Sequence, residues 1–134
     1  QWFPDIEMAL DRISQWLNPE GILAFSTFSP NNFKELKAQT GVSLDYPSKE
    51  NLEEILNKNL KILSVIEYEK SLYFSSGEKM LRHLKDTGVN GVLDKPWPLS
   101  KLKSFLINNK DKKTSLTYSP IILITKKSSN NIKY

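Results

Sequence analysis

Apolar residues at Ile6, Ala9, Leu10, Ile13, Trp16 and Leu17 recur three and four positions apart behind Asp5. That spacing predicts a helix with one buried stripe and an aspartate N-cap. Asn18-Pro19-Glu20-Gly21 stops it. Ile22 to Phe28 is a short, nearly continuous apolar run, the pattern of a strand covered on both faces. Ser29-Pro30-Asn31-Asn32 then predicts a turn and cap for a short helix through Phe33 and Leu36 that ends near Gly41. Tyr46-Pro47-Ser48 opens another helix, with Leu52, Ile55 and Leu56 on one face. From Lys61 to Phe74 the chain is rich in β-branched and aromatic residues, which predicts one long strand, bulged in the middle, with Glu67, Glu69 and Lys70 marking a wet face.

Ser75 to Glu78 has the spacing of a capping box, and Met80, Leu81 and Leu84 give the following helix a core stripe until Gly88. Asp94-Lys95-Pro96-Trp97-Pro98 reads as a loop, and Ser100 as the cap of a last helix through Leu102, Phe105 and Leu106. The run SLTYSPIILITKK, Ser115 to Lys127, is the final strand, antiparallel beside the one before it. Pro120 has no N–H for a ladder and should mark a bulge or an unpaired edge position. The expected fold class is α/β, about three strands with flanking helices and the last strand antiparallel, without repeats or an internal domain boundary. Residues 1–127 form this domain, and 128–134 are expected to be a disordered tail.

Composition narrows the chemistry. A length of 134 residues with 39% apolar content fits one domain. No window approaches the roughly 18 to 20 apolar residues of a membrane span. Gln1-Trp2-Phe3-Pro4-Asp5 lacks the pattern of a signal peptide, so the expected compartment is the cytoplasm. The absence of cysteine excludes disulfides and thiol catalysis, and a single histidine, His83, excludes a multi-histidine metal centre within one chain. Residues 1–98 carry 11 basic and 14 acidic side chains, whereas 99–134 carry 8 lysines against Asp111 alone. Such a basic segment is either a solvated surface or a patch that steers an acidic partner such as a carrier protein. Aromatics are not interleaved with these lysines, which argues against nucleic acid.

Several stretches carry a family resemblance. QWFPDIEMALDRISQWLNPEGILAFSTF resembles the segment after the fourth strand of class I S-adenosylmethionine-dependent methyltransferases, where a helix, a Pro-x-Gly turn and the fifth strand follow one another. NNFKELK, YPSKENLEEIL, MLRHLKDTGVNGV and SLTYSPIILITKK, in this order, resemble the malonyl-acyl carrier protein O-methyltransferases of biotin synthesis, from Gln1 to about Lys127. The chain departs from that pattern at Ser119, where a histidine commonly follows Leu-Thr-Tyr, and at Asn90-Gly91. The resemblance implies the carboxyl-terminal part of a Rossmann-like fold, with the Gly-rich cofactor loop and the ribose-binding acid preceding Gln1, so that the chain by itself is inactive. It also implies that the uncovered edge of the Ile22–Phe28 strand makes the isolated chain a homodimer.

Transfer of a methyl group from a sulfonium to a carboxylate is an in-line displacement between a cation and an anion, so positioning matters and no base is required. For the malonyl carboxylate of the carrier protein, the resemblance points to Arg82, a planar fork, with Lys85 one turn later and the hydroxyls of Thr117 and Tyr118. For S-adenosylmethionine it points to Trp2 and Phe3. No residue is assigned to covalent or acid–base catalysis, or to a metal. Each assignment has a plainer counterpart. Glu78 and Arg82 also have the spacing of a surface ion pair, Trp2 and Phe3 suit packing at a helix start, Glu35 a solvated helical carboxylate, His83 a boundary residue, and Tyr118 an anchored core hydroxyl. Three functions remain open: this enzyme, another class I small-molecule methyltransferase, or a non-catalytic oligomerisation or binding module.

Overall fold

A computed structural model of the protein describes residues 5–41, 44–87 and 99–129. Along the chain run α1 (Ile6–Trp16), β1 (Ile22–Phe28), α2 (Lys34–Thr40), α3 (Lys49–Asn57), β2 (Leu60–Glu67), β3 (Lys70–Phe74), α4 (Gly77–Asp86), α5 (Leu99–Asn108), β4 (Thr114–Tyr118) and β5 (Pro120–Lys127). The predicted order of helices and strands holds, but both long strands are split, one at Tyr68 and Glu69 and the other at Ser119. The halves pair in separate sheets, β1-β5-β2 and β3-β4. Where one domain is expected, the described residues form two compact units, the first from 5–29, 46–68 and 120–129, the second from 30–41, 44–45, 69–87 and 99–119.

In the first unit β5 lies between β1 and β2 and is antiparallel to both. Its alternate residues Ile121, Leu123 and Thr125 are fully buried. With Leu10 of α1, Leu52 and Leu56 of α3, and Leu60 they form the core. Asp5 caps α1 by accepting the Met8 N–H at 2.9 Å, and Ser48 caps α3 by accepting from Asn51 at 3.2 Å. Leu63 is the extra residue of a bulge, since Ile62 pairs with Thr125 and Ser64 with Ile124. Pro120 takes the first position of β5, and its carbonyl accepts the Tyr68 N–H at 3.4 Å.

Two expectations change here. The strand β1 alternates rather than being covered on both faces: Ile22 is 61% exposed, and the face it shares with Ala24 and Ile66 has no helix over it among the described residues. Trp16 is 80% exposed and leaves the inner face of α1 to Leu10 and Ser14, with Ile6 and Leu17 packed beside the core. Both lysines at the end of β5 have partners. Lys126 pairs with Glu20, while Lys127 donates to the carbonyls of Leu17 at 2.9 Å and Gln15 at 3.3 Å. A cation at the last carbonyls of α1 meets the negative end of the helix dipole. Ser129 hydrogen-bonds Glu20 at 2.5 Å, and residues 130–134 of the expected tail lie outside the described residues.

The second unit packs α2, α4 and α5 around Leu116 of β4, with Leu36, Met80, Leu84 and Phe105 buried beside it. Gly41 ends α2 with a left-handed φ of 71°, as a C-terminal glycine should. The capping box shifts by one residue: Ser76, not Ser75, accepts from Lys79 at 3.4 Å, so Glu78 has no capping role. Ser100 lies inside α5, whose preceding residues, with Gly88 and the Trp97 loop, lie outside the described residues. Gly77 is held where α4 starts against α5. Its N–H donates to the Asn109 carbonyl at 2.9 Å, and a Cβ there would meet Asn109 Cβ at 2.8 Å and Phe105 Cε1 at 3.1 Å. Gly77→Ala should therefore destabilise this unit by about 1–3 kcal/mol, the usual range for overpacking a filled site. A lowered midpoint in denaturant unfolding is the expected readout.

Candidate functional site

The strand β4 belongs to a two-stranded sheet, so its outer backbone edge has no strand beside it. The turn into α2 takes that place. Phe33 donates its N–H to the Thr117 carbonyl at 2.8 Å, the Glu35 carboxylate accepts the Thr117 N–H at 2.9 Å, and Asn32 Oδ1 accepts the Ser119 N–H at 3.0 Å. Residues 117 and 119 point their backbone groups to the same edge because the strand period is two. Phe33 adopts φ 57° to make this turn, an uncommon conformation for a bulky residue, and it is buried.

Glu35 also accepts from the Thr117 hydroxyl through a short hydrogen bond. An ionised carboxylate only accepts, so Thr117 is the donor, and the Ser71 hydroxyl 2.8 Å away donates to Thr117 in turn. The proton order Ser71 to Thr117 to Glu35 ties β3, β4 and α2 together. Thr117 is buried, its one donor is committed, and it acts by position. Glu35, which in the sequence resembles a recurrent family position but reads by default as a solvated helical carboxylate, is instead engaged by Thr117.

Tyr118, next along β4, faces the other way. Its hydroxyl lies 2.9 Å from His83 Nε2 on α4, and its ring packs edge-on against Phe33 at 5.0 Å. Phe74 stacks at a tilt on His83, 5.2 Å between centroids. His83 is thus a boundary residue with a specific partner. Burial pushes the Tyr118 phenol above its ordinary value, and a hydrogen bond with Thr87 works weakly against this. Arg82, one residue before His83, is exposed and pairs with Glu78 at 3.0 Å. With both side chains about 70% exposed, that pair contributes only a few tenths of a kcal/mol, so the guanidinium is readily exchanged to another carboxylate. Lys85 is exposed on the same helix. The structure thus engages Thr117 with Glu35 and Ser71, and Tyr118 with His83, in two hydrogen-bonded sets on opposite faces of β4, and it leaves Arg82 and Lys85 at the surface of α4. Trp2 and Phe3 lie outside the described residues.

Glycines among the described residues do not form a nucleotide cradle. Gly21 and Gly77 are filled by their own chain, Asn18 O lying 2.7 Å from a Cβ at Gly21, and Gly41 closes a helix. The described residues therefore do not fit S-adenosylmethionine by themselves. No group of three or more potential metal ligands occurs among them either. No helix among them is long and apolar enough to cross a membrane.

Glu35→Ala strands the Thr117 N–H and should cost about 1–3 kcal/mol in denaturant unfolding, the range for an unsatisfied buried donor. Glu35→Gln keeps one acceptor and should lose less. The Tyr118 shift has a defined sign: the neutral phenol is favoured in the folded state, so its contribution is complete below the ordinary tyrosine pKa of 10.0 and is lost as pH rises through the higher folded value. An alkaline spectrophotometric titration should therefore lose its high-pH phenolate component in Tyr118→Phe; loss of an ordinary component would contradict the assignment.

No family model matches the chain. Among curated proteins it is similar to the malonyl-acyl carrier protein O-methyltransferase of Chlorobium luteolum, 34% identical over 132 residues that cover 95% of this chain and 50% of that protein. The protein of the same name from Haemophilus ducreyi is 33% identical, covering 92% of this chain and 50% of its own length. That of Bacteroides fragilis is 38% identical over 95% of this chain and 27% of its own length. The chain thus spans about half the length of the first two relatives and about a quarter of the third. Over almost its whole length, it is homologous to malonyl-acyl carrier protein O-methyltransferases.

Proposed function

We propose that this chain is the acceptor-side, carboxyl-terminal part of a cytoplasmic methyltransferase that uses S-adenosylmethionine to methylate the free carboxylate of malonyl-acyl carrier protein in biotin synthesis. The observation that carries the reading is the identity to enzymes of that name over 95% of the chain. The α/β architecture with its antiparallel final strand supports it. Residues 1–127 supply the end of the methyltransferase sheet and the insertion around the acceptor. The donor site belongs to other parts of the protein, with Trp2 and Phe3 as this chain's contribution.

In this reading Arg82 exchanges Glu78 for the malonyl carboxylate, Lys85 adds a second positive charge, and Tyr118 offers its hydroxyl. Thr117 holds the strand that carries Tyr118. Reaction of two oppositely charged groups needs no proton acceptor, which suits a cluster whose carboxylate, Glu35, is already engaged by Thr117. The uncovered face around Ile22 and Ile66, and the outer edge of β1, support homodimerisation of the isolated chain.

The test is an assay of the protein as its gene encodes it, with malonyl-acyl carrier protein and S-adenosylmethionine labelled in the methyl group. Label should appear on the malonyl group as an ester, and no transfer would refute the reading. Arg82→Ala should weaken carrier methylation by about 2–5 kcal/mol, the range for truncating one partner of a desolvated charge pair, and leave cofactor binding unchanged. Unaltered kinetics would return Arg82 to its surface pair with Glu78.

A further inference from the structure

The basic character of the chain resides in one of its two units. Residues 30–45 and 69–119 hold 12 basic against 7 acidic side chains, and the remainder of the chain 7 against 8. Within the basic unit the excess gathers on α5 and the turn after it, where Lys101, Lys103, Lys110, Lys112 and Lys113 face a single carboxylate, Asp111. Lys101 is occupied, since its ammonium donates to the Thr40 carbonyl at the end of α2, 3.2 Å away. Among the described residues no ion pair involves the other four.

The geometry of α5 distinguishes this patch from a merely solvated face. Phe105 is buried and Leu102 and Leu106 are half-buried, which fixes the inner side of the helix. Ser100, Lys103 and Ile107 fall three and four apart on the opposite side. Ile107 is 75% exposed there, a large apolar side chain between Lys103 and Lys110. An apolar centre flanked by unpaired cations is the pattern of a protein interface, whose core is apolar and whose rim is charged. The occupant complementary to it is a protein surface with carboxylates around an apolar spot.

We propose that the outer face of α5, Lys103 with Ile107, together with Lys110, Lys112 and Lys113 of the following turn, is the docking surface for the acidic face of the acyl carrier protein. The inference rests on the function proposed above, which supplies that partner, and the charge of the patch selects it over a neutral or basic one. The lysines steer the encounter and set its salt dependence, while Ile107 contributes the desolvated contact.

The experiment uses the protein as its gene encodes it and a fluorescent acyl carrier protein without its malonyl group, so that association is read by anisotropy independently of methyl transfer. Wild-type protein should bind with an affinity that falls as ionic strength rises. K103E/K110E/K113E should weaken binding on the order of tenfold or more, the effect expected when like charges replace opposite ones. Ile107→Ser, which leaves all charges in place, should weaken it too. The reversal pair K49E/K61E, in the other unit, should bind as wild type does. Thermal transitions kept within the wild-type range establish that each variant is folded. Wild-type protein that does not bind, an α5 triple variant that binds normally, or a control pair that loses as much would each overturn the docking surface. Methyl transfer to a small malonyl thioester is measured alongside: transfer without carrier binding would refute the docking surface alone, and carrier binding without transfer to either substrate would refute the function alone.

Discussion

The second unit depends on how an unpaired strand edge is satisfied. A two-stranded sheet leaves β4 with a row of backbone donors and acceptors, and buried groups of that kind each cost on the order of 1–3 kcal/mol when left without partners. Asn32, Phe33 and Glu35 meet the groups of Thr117 and Ser119 one for one, with a side-chain amide, a backbone N–H and a carboxylate standing in for a neighbouring strand. Because all three lie in one turn and the start of one helix, the same bonds that close the edge also dock α2 onto the sheet. The left-handed backbone of Phe33 is the strained residue that makes the turn tight enough.

From this constraint follows the placement of the polar cluster. With Thr117 held from both sides, by Ser71 across the ladder and by Glu35 at the edge, Tyr118 has a fixed direction toward α4 and meets His83 there. The chain then turns at Ser119 and begins a different sheet at Pro120, a residue with no N–H to continue the β4 pairing. The Ser71 and Thr117 hydroxyls and the Glu35 carboxylate are thereby locked by one another, while the Tyr118 hydroxyl is held separately by His83. Readily redirected charges lie on the exposed side of α4, at Arg82 and Lys85.

What the sequence made legible was the local part of this. Asp5, Ser48 and Gly41 act through bonds within a few residues of themselves, so the helix ends they define were readable to within a position or two. The antiparallel final strand was readable from its composition and from the resemblance. The two strand breaks were legible only as irregularities, a bulge within Lys61–Phe74 and an interruption at Pro120, because the change of partner that separates the sheets there is a non-local event. Glu35 was misjudged for the same reason: on a helical wheel it is an ordinary surface carboxylate, and only the approach of Thr117, 82 positions away, gives it a role. Arg82 and Lys85 were placed on the correct helix, but periodicity carries no information about which carboxylate an exposed guanidinium meets.

The α2 turn thus serves β4 as a surrogate strand. The most direct measurement is native-state amide hydrogen exchange at Thr117 and Ser119, whose N–H groups donate to the side chains of Glu35 and Asn32. Both amides should be protected about as well as those in the β3–β4 ladder, and removal of the Glu35 carboxylate should release Thr117. Exchange of these two amides at the rate of exposed backbone in the unaltered protein would contradict the surrogate-strand role.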